Sequence, residues 1–304
     1  TQLTTGQKLR KLPQVLLALW RLLRGFKKMP LLVQQFRQMF DTVYHNIPRK
    51  ELHTFTTGEL VEKAHYLDRE LLQKWTTPII NDFYVMMMNG NVHRTLVAAG
   101  FEQPAVLQNN LLSGEEGIES TEPTKMLLRM CSYIRQQPSL RQVIETGDNK
   151  NLLERVQVHD SNFYQQCQEY IEKYGDRTIG ELKLESITLR QDASFLFAIL
   201  KNYLSRDDLT LETLSANEAR FRQEAEQQAF TAIAEKLGQR RLRQFKSHLA
   251  KLRDAIRNRE NMRLARTRMF ALYRDVFLQI GEQFASDGLL DNGRDIFYLS
   301  LEEI

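Results

Sequence analysis

Arg259, Glu260, Arg263 and Arg266 occupy two successive turns of a continuous helical pattern, and Arg274 extends the row. At about 100° per residue the four arginines fall within about 80° of one another, while Met262, Ala265, Met269, Leu272, Val276 and Ile280 gather on an adjoining face. Guanidinium groups are planar, stay charged at every relevant pH and match phosphate oxygens with paired donors, so such a row can hold a phosphoryl group. The plainer reading is a solvated helix face balanced by acids of a neighbouring helix.

A second candidate is the run Phe83-Tyr84-Val85-Met86-Met87-Met88. Thioethers are polarizable and adaptable, so Phe83, Met86 and Met87 could line a pocket for a varied apolar ligand or simply fill core gaps. His45, His53, His65, His93, His159 and His248 show no metal-ligand spacing, and no metal site is expected. Gly114-Glu-Glu-Gly117 lacks the Gly-Lys-Ser ending of a phosphate loop and reads as a turn. No Ser-His-Asp, Cys-His or paired-carboxylate pattern stands out.

The elements that would position these residues are helices. Periodicity near 3.6 dominates and strand-like alternation is nearly absent, so the expected fold is all-α, a multi-helix domain with a long antiparallel helical hairpin in its C-terminal third. Helices are predicted over Pro13–Arg24, Leu31–Tyr44, Gly58–Trp75 and Pro78–Ala98, the last opened by Thr76-Thr77-Pro78. A loop is expected from Glu102 to Pro123, then helices near Thr124–Gln136, Ser139–Glu145, Ser161–Lys173 and Ala193–Leu204. Gly175–Ile187 breaks the period and reads as an ordered crossing loop with Arg177 and Glu181 as anchors. Ser215-Ala-Asn-Glu218 resembles a capping box opening a helix that ends at Gly238, and a second long helix follows from Gln239 to about Ser286. The division drawn is 1–104, a basic N-terminal lobe, and 105–304.

The net charge of +4 is unevenly spread. Residues 1–50 carry ten lysines or arginines against Asp41 alone, and residues 239–274 carry twelve against Asp254 and Glu260. Such zones attract phosphate-bearing ligands, an acidic domain, nucleic acid or an anionic membrane surface. Cys131 and Cys167 lie in apolar helical patterns without CxxC spacing and read as buried thiols of a cytoplasmic protein. Arg21 and Arg24 interrupt the first helix pattern, and no span approaches the ~20 apolar residues of a membrane crossing.

Several landmarks occur in order: Asn110-Leu-Leu-Ser-Gly114, Glu119-Ser-Thr-Glu-Pro123, Tyr174-Gly-Asp-Arg177, Gly180-Glu-Leu-Lys-Leu-Glu185, and Gly288-Leu-Leu-Asp291 leading into Arg294-Asp295-Ile-Phe-Tyr298. Over roughly residues 105–304 they resemble the helical middle domain of the phosphoenolpyruvate synthase, pyruvate phosphate dikinase and rifampin phosphotransferase family. The resemblance implies a parent that uses ATP and magnesium in an ATP-grasp domain, loads a phosphohistidine, and swings it to a small-molecule phosphate acceptor. It also implies that the chain stops where the phosphohistidine domain would begin and is inactive alone, with no cofactor of its own. Its partners would be those two domains. Arg259, Glu260 and Arg263 match an Arg-Glu-x-x-Lys pattern near the transfer site, with Arg for Lys, and would support phosphoryl transfer; Arg266, Phe83, Met86 and Met87 would bind substrate. The rival expectation is a non-catalytic helical module that binds an acidic protein, nucleic acid or an anionic membrane surface.

Overall fold

The computed structural model describes residues 20, 22–114, 121–177 and 182–304. Most of the predicted Pro13–Arg24 helix, parts of the Gly114–Gly117 and Glu119–Pro123 runs, and Gly180 with Glu181 lie outside these residues. The described residues are all-α, with short 3-10 turns and no strand among them. The helices are α1 (Met29–Asn46), α2 (Thr57–Glu70), α3 (Thr76–Ala98), α4 (Pro104–Leu111), α5 (Glu122–Arg135), α6 (Pro138–Thr146), α7 (Leu152–His159), α8 (Ser161–Tyr174), α9 (Ser194–Leu204), α10 (Leu211–Leu237) and α11 (Gln239–Ser286). No helix among the described residues is long and apolar enough to cross a membrane.

Two local expectations are corrected. The span 102–123 is not simply a loop, because Pro104 opens α4, which buries Leu107 and Leu111. Helix α10 starts at Thr210, whose hydroxyl accepts from the Thr213 backbone in a capping box, so Ser215–Glu218 lies inside the helix. Thr210 satisfies the orphan donors one turn earlier, and a second cap is then unnecessary.

The 48-residue α11 is the spine, about 70 Å long at 1.5 Å per residue. Its first half buries Phe245, Leu249, Leu252 and Ala255 against Val85, Val92 and Leu96 of α3, α4, and Ala225, Ala229 and Ile233 of α10. Gly238, at φ +82°, turns the chain between α10 and α11, a conformation that only glycine adopts without strain. Phe230 meets Phe245 with ring centroids 6.2 Å apart, and Glu226 pairs with Arg253 at 2.7 Å, so the two helices run antiparallel. Residue 104, the last of the N-terminal lobe drawn from the sequence, is the first residue of α4, and α3 and α4 both contribute to this core.

The second half of α11 buries Met262, Met269, Leu272, Val276 and Ile280 against α1, α2 and a terminal 3-10 turn, Gly293–Tyr298. A Cβ on Gly281 would sit 1.9 Å from the Gly293 carbonyl oxygen, so glycine is what allows that turn to approach. A third core holds α5 to α9, including both cysteines. Burial raises the Cys131 thiol to about 11 and Cys167 to about 12, as befits buried free thiols.

A charge cluster joins the lobes. Arg49, just after α1, pairs with Asp176 at 2.8 Å and donates from Nε to Asp275 of α11 at 2.6 Å; Tyr44 donates to Asp176 at 2.9 Å. Burial alone would raise Asp176, but the hydrogen bond and charge of Arg49, with Arg190 and Tyr44, hold it below the usual range. Asp275 is raised because burial outweighs Arg49 there. The anchor of the crossing loop is thus Asp176, 4% exposed, rather than the neighbouring Arg177.

Candidate functional site

α3 and α11 cross so that Asn81 Nδ2 donates to the Ala255 carbonyl at 2.9 Å, and this contact fixes which residues meet on either flank of α3. On one flank, Trp75, Pro78 and Asp82 face Arg259, Glu260, Met262, Arg263 and Arg266 across a pocket of about 320 Å³. Trp75 is braced from behind by Phe36, edge-on at 5.1 Å. The Met262 side of α11 is buried at 4%, so the helix cannot rotate its arginines away without opening the core.

Within the pocket Arg259 Nε donates to Glu260 Oε1 at 3.3 Å, and Arg263 Nη1 lies 3.9 Å from Glu260 Oε2. Arg259 and Arg263 are about half exposed, at 46% and 52% of their side chains, against 21% for Glu260. The cluster is therefore a solvated cationic rim around a partly shielded carboxylate, able to take an anion from outside. Arg274 does not belong to it. That guanidinium is 1% exposed and donates from Nε and Nη2 to the carbonyls of Leu184 at 2.8 Å and Lys183 at 2.7 Å. The helical wheel places Arg274 with the others, but the crossing loop covers its turn of α11 and converts a border position into a buried tie.

The apolar residues divide. Phe83 and Met86 are 49% and 69% exposed on the outer face of α3, with Ile79 at 54%. At helical spacing Ile79 and Met86 lie one turn either side of Asp82, whereas Phe83 stands about 100° round the helix from it, in one row with Ile79 and Met87; none of the three lines the arginine pocket itself. Met87 instead lines a larger cleft with Tyr84 and Met88. Trp75, Pro78 and Asp82 were not singled out by sequence pattern. The Thr76-Thr77-Pro78 helix start fixes their local geometry, but their meeting with residues some 180 positions later leaves no local signal.

A family model described as the rifampicin phosphotransferase fourth domain matches residues 75–260, more than half of the chain. The chain belongs to that family. The rifampicin phosphotransferase match begins at Trp75 and ends at Glu260, so it contains the pocket's α3 wall and the first two residues of its α11 wall, with Arg263 and Arg266 just beyond. The helical body is thus a domain of a rifampicin phosphotransferase-like phosphotransferase, a multidomain protein. Among the described residues, no three His, Cys, Asp or Glu side chains gather as metal ligands.

Proposed function

We propose that this domain receives the phosphate acceptor of its parent phosphotransferase and that the Arg259–Arg266 pocket is where the phosphoryl group is handed over. The observation that carries this reading is the convergence of Arg259, Arg263 and Arg266 with Glu260 and Asp82 on one small polar pocket, with Ile79 and Met86 exposed one turn either side of Asp82. The pocket's 320 Å³ suits a phosphoryl group and the reacting end of an acceptor, whose apolar body would lie along the α3 stripe.

In transfer, the bond from a histidine nitrogen to phosphorus breaks as the acceptor oxygen bonds to phosphorus, and the acceptor's proton must go to a base. Arginine is a poor base, so that role falls to Glu260 or Asp82, while the arginines hold the charge on the equatorial oxygens. ATP and magnesium would serve the separate loading step in the parent and have no role in this pocket.

Trp75 makes the pocket readable in the chain itself. In a Trp20→Phe background, leaving Trp75 as the single tryptophan, titration with pyrophosphate should change its fluorescence saturably, and Arg259→Gln with Arg263→Gln should weaken binding at least ~10-fold. In the full-length parent the same pair should slow acceptor phosphorylation by about 10²–10³ while histidine loading persists. Unchanged pyrophosphate affinity together with unchanged transfer would leave the row as a solvated helix face and defeat the assignment.

A further inference from the structure

On the other flank of α3 lies a cleft of about 1190 Å³, nearly four times the arginine pocket, formed with α1 and the N-terminal half of α11. Its floor is apolar and adaptable: Phe26, Met29, Val33, Met87 and Met88. Met29, Val33 and Met88 are at most 7% exposed and belong to the packed cores, so the floor is held from behind. Phe26 and Tyr84 are in ring contact, centroids 5.1 Å apart, which joins the residues before α1 to α3 across the cleft. An open apolar surface of this size is costly to hydrate and pays back whatever fills it.

The rim carries a sign. Arg24, Lys27, Arg37 and Lys251 line it against Asp41 and Asp254, and Asp254 already pairs with Arg257 at 3.3 Å. A neutral occupant would leave these cations unused, and a cationic one would meet them at close range. The chain's own residues 1–19 contain Lys8, Arg10 and Lys11 and no acid, so they are electrostatically the wrong partner for this rim.

From this floor and rim we infer that the cleft is a second small-molecule site, distinct from the arginine pocket, for an amphipathic carboxylic acid. Its long or aromatic apolar body lies on the methionine floor and its carboxylate meets Arg37 and Lys251. Met87, read from the sequence as an acceptor contact, serves this second ligand.

The full chain can be tested with dansyl-undecanoic acid and its methyl ester, which share an apolar body and differ in charge. Trp20 lines the cleft, so in a Trp75→Phe background, which leaves Trp20 as the single tryptophan, its emission should fall saturably as the dansyl group enters. Saturable 1:1 binding is expected, with the acid at least ~10-fold tighter than the ester, about 1.4 kcal/mol. Arg37→Gln with Lys251→Gln should remove that preference. Gln34→Trp, which replaces an exposed lining residue with a bulky one, should block both probes. Acid and ester binding alike, indifference to Gln34→Trp, or displacement of the probe by pyrophosphate would overturn the inference. So would binding that emerges only when residues 1–19 are deleted, since the chain itself would then be the occupant.

Discussion

Arg263 and Arg274 are chemically identical residues eleven positions apart on one helix, and their surroundings give them opposite roles. Arg263 is half exposed at the pocket rim, whereas Arg274 is buried and holds two carbonyls of the crossing loop. Truncating an exposed side chain changes stability by less than about 0.5 kcal/mol, while stranding buried carbonyls costs about 1–3 kcal/mol each. Arg263→Gln should therefore leave the denaturation midpoint nearly unmoved, and Arg274→Met should lower stability by roughly 2–4 kcal/mol. Urea unfolding followed by circular dichroism decides it; equal effects from the two changes would refute the distinction.

Between elements, the Arg49 cluster and the Gly281 contact make separable claims. Breaking a largely buried ion pair strands its partner, so Asp176→Asn should cost about 2–3 kcal/mol at pH 7. Asp275→Asn should cost less than half as much, because burial already disfavours its charge. The pH dependences oppose. Asp176 is depressed when folded, so its contribution is present above its ordinary value of 3.8 and is lost as pH falls through the lower folded value. Asp275 is raised, so its contribution is fully present below 3.8 and is lost as pH rises through the higher folded value. Stability profiles between pH 2 and 7 for the two variants should consequently diverge from the parent chain in opposite senses. At the other end of α11, Gly281→Ala drives a methyl into the Gly293 carbonyl, and the backbone there cannot yield as a flexible side chain would. A loss of about 2–3 kcal/mol is expected, with faster amide exchange confined to the Gly293–Tyr298 turn and its contacts.

For the molecule as a whole, α11 passes through two of the three cores, and the third, α5 to α9, is tied to it through Asp176 and the crossing loop. Both cysteines sit in that third core with thiols raised to about 11 and about 12. At pH 8 they should react with a thiol reagent at least ~10²-fold more slowly than in urea, because the reactive thiolate forms only after opening. Asp176→Asn should accelerate labelling of both thiols if this lobe opens as a unit. Labelling of one cysteine without the other would show that it does not.

The sequence by itself determined the helices, because burying one face of a helix imposes a period that short-range pattern reveals. Met262, Met269, Leu272, Val276 and Ile280 fall on the buried side of α11 as their spacing requires. It also determined the arginine row and the family landmarks, which are local. Periodicity reports that a residue lies on a face, never what covers that face. Only the tertiary structure set Arg274 beneath the crossing loop, chose Asp176 over Arg177 as the anchor, and brought Trp75 and Asp82 to the arginines. It likewise put Met87 in the cleft with α1 and left Phe83 and Met86 exposed on the outer face of α3. Each of these depends on contacts between segments about 90 to 230 residues apart, where the chain entropy of closure and the fit of whole helices, rather than neighbouring residues, select the partner.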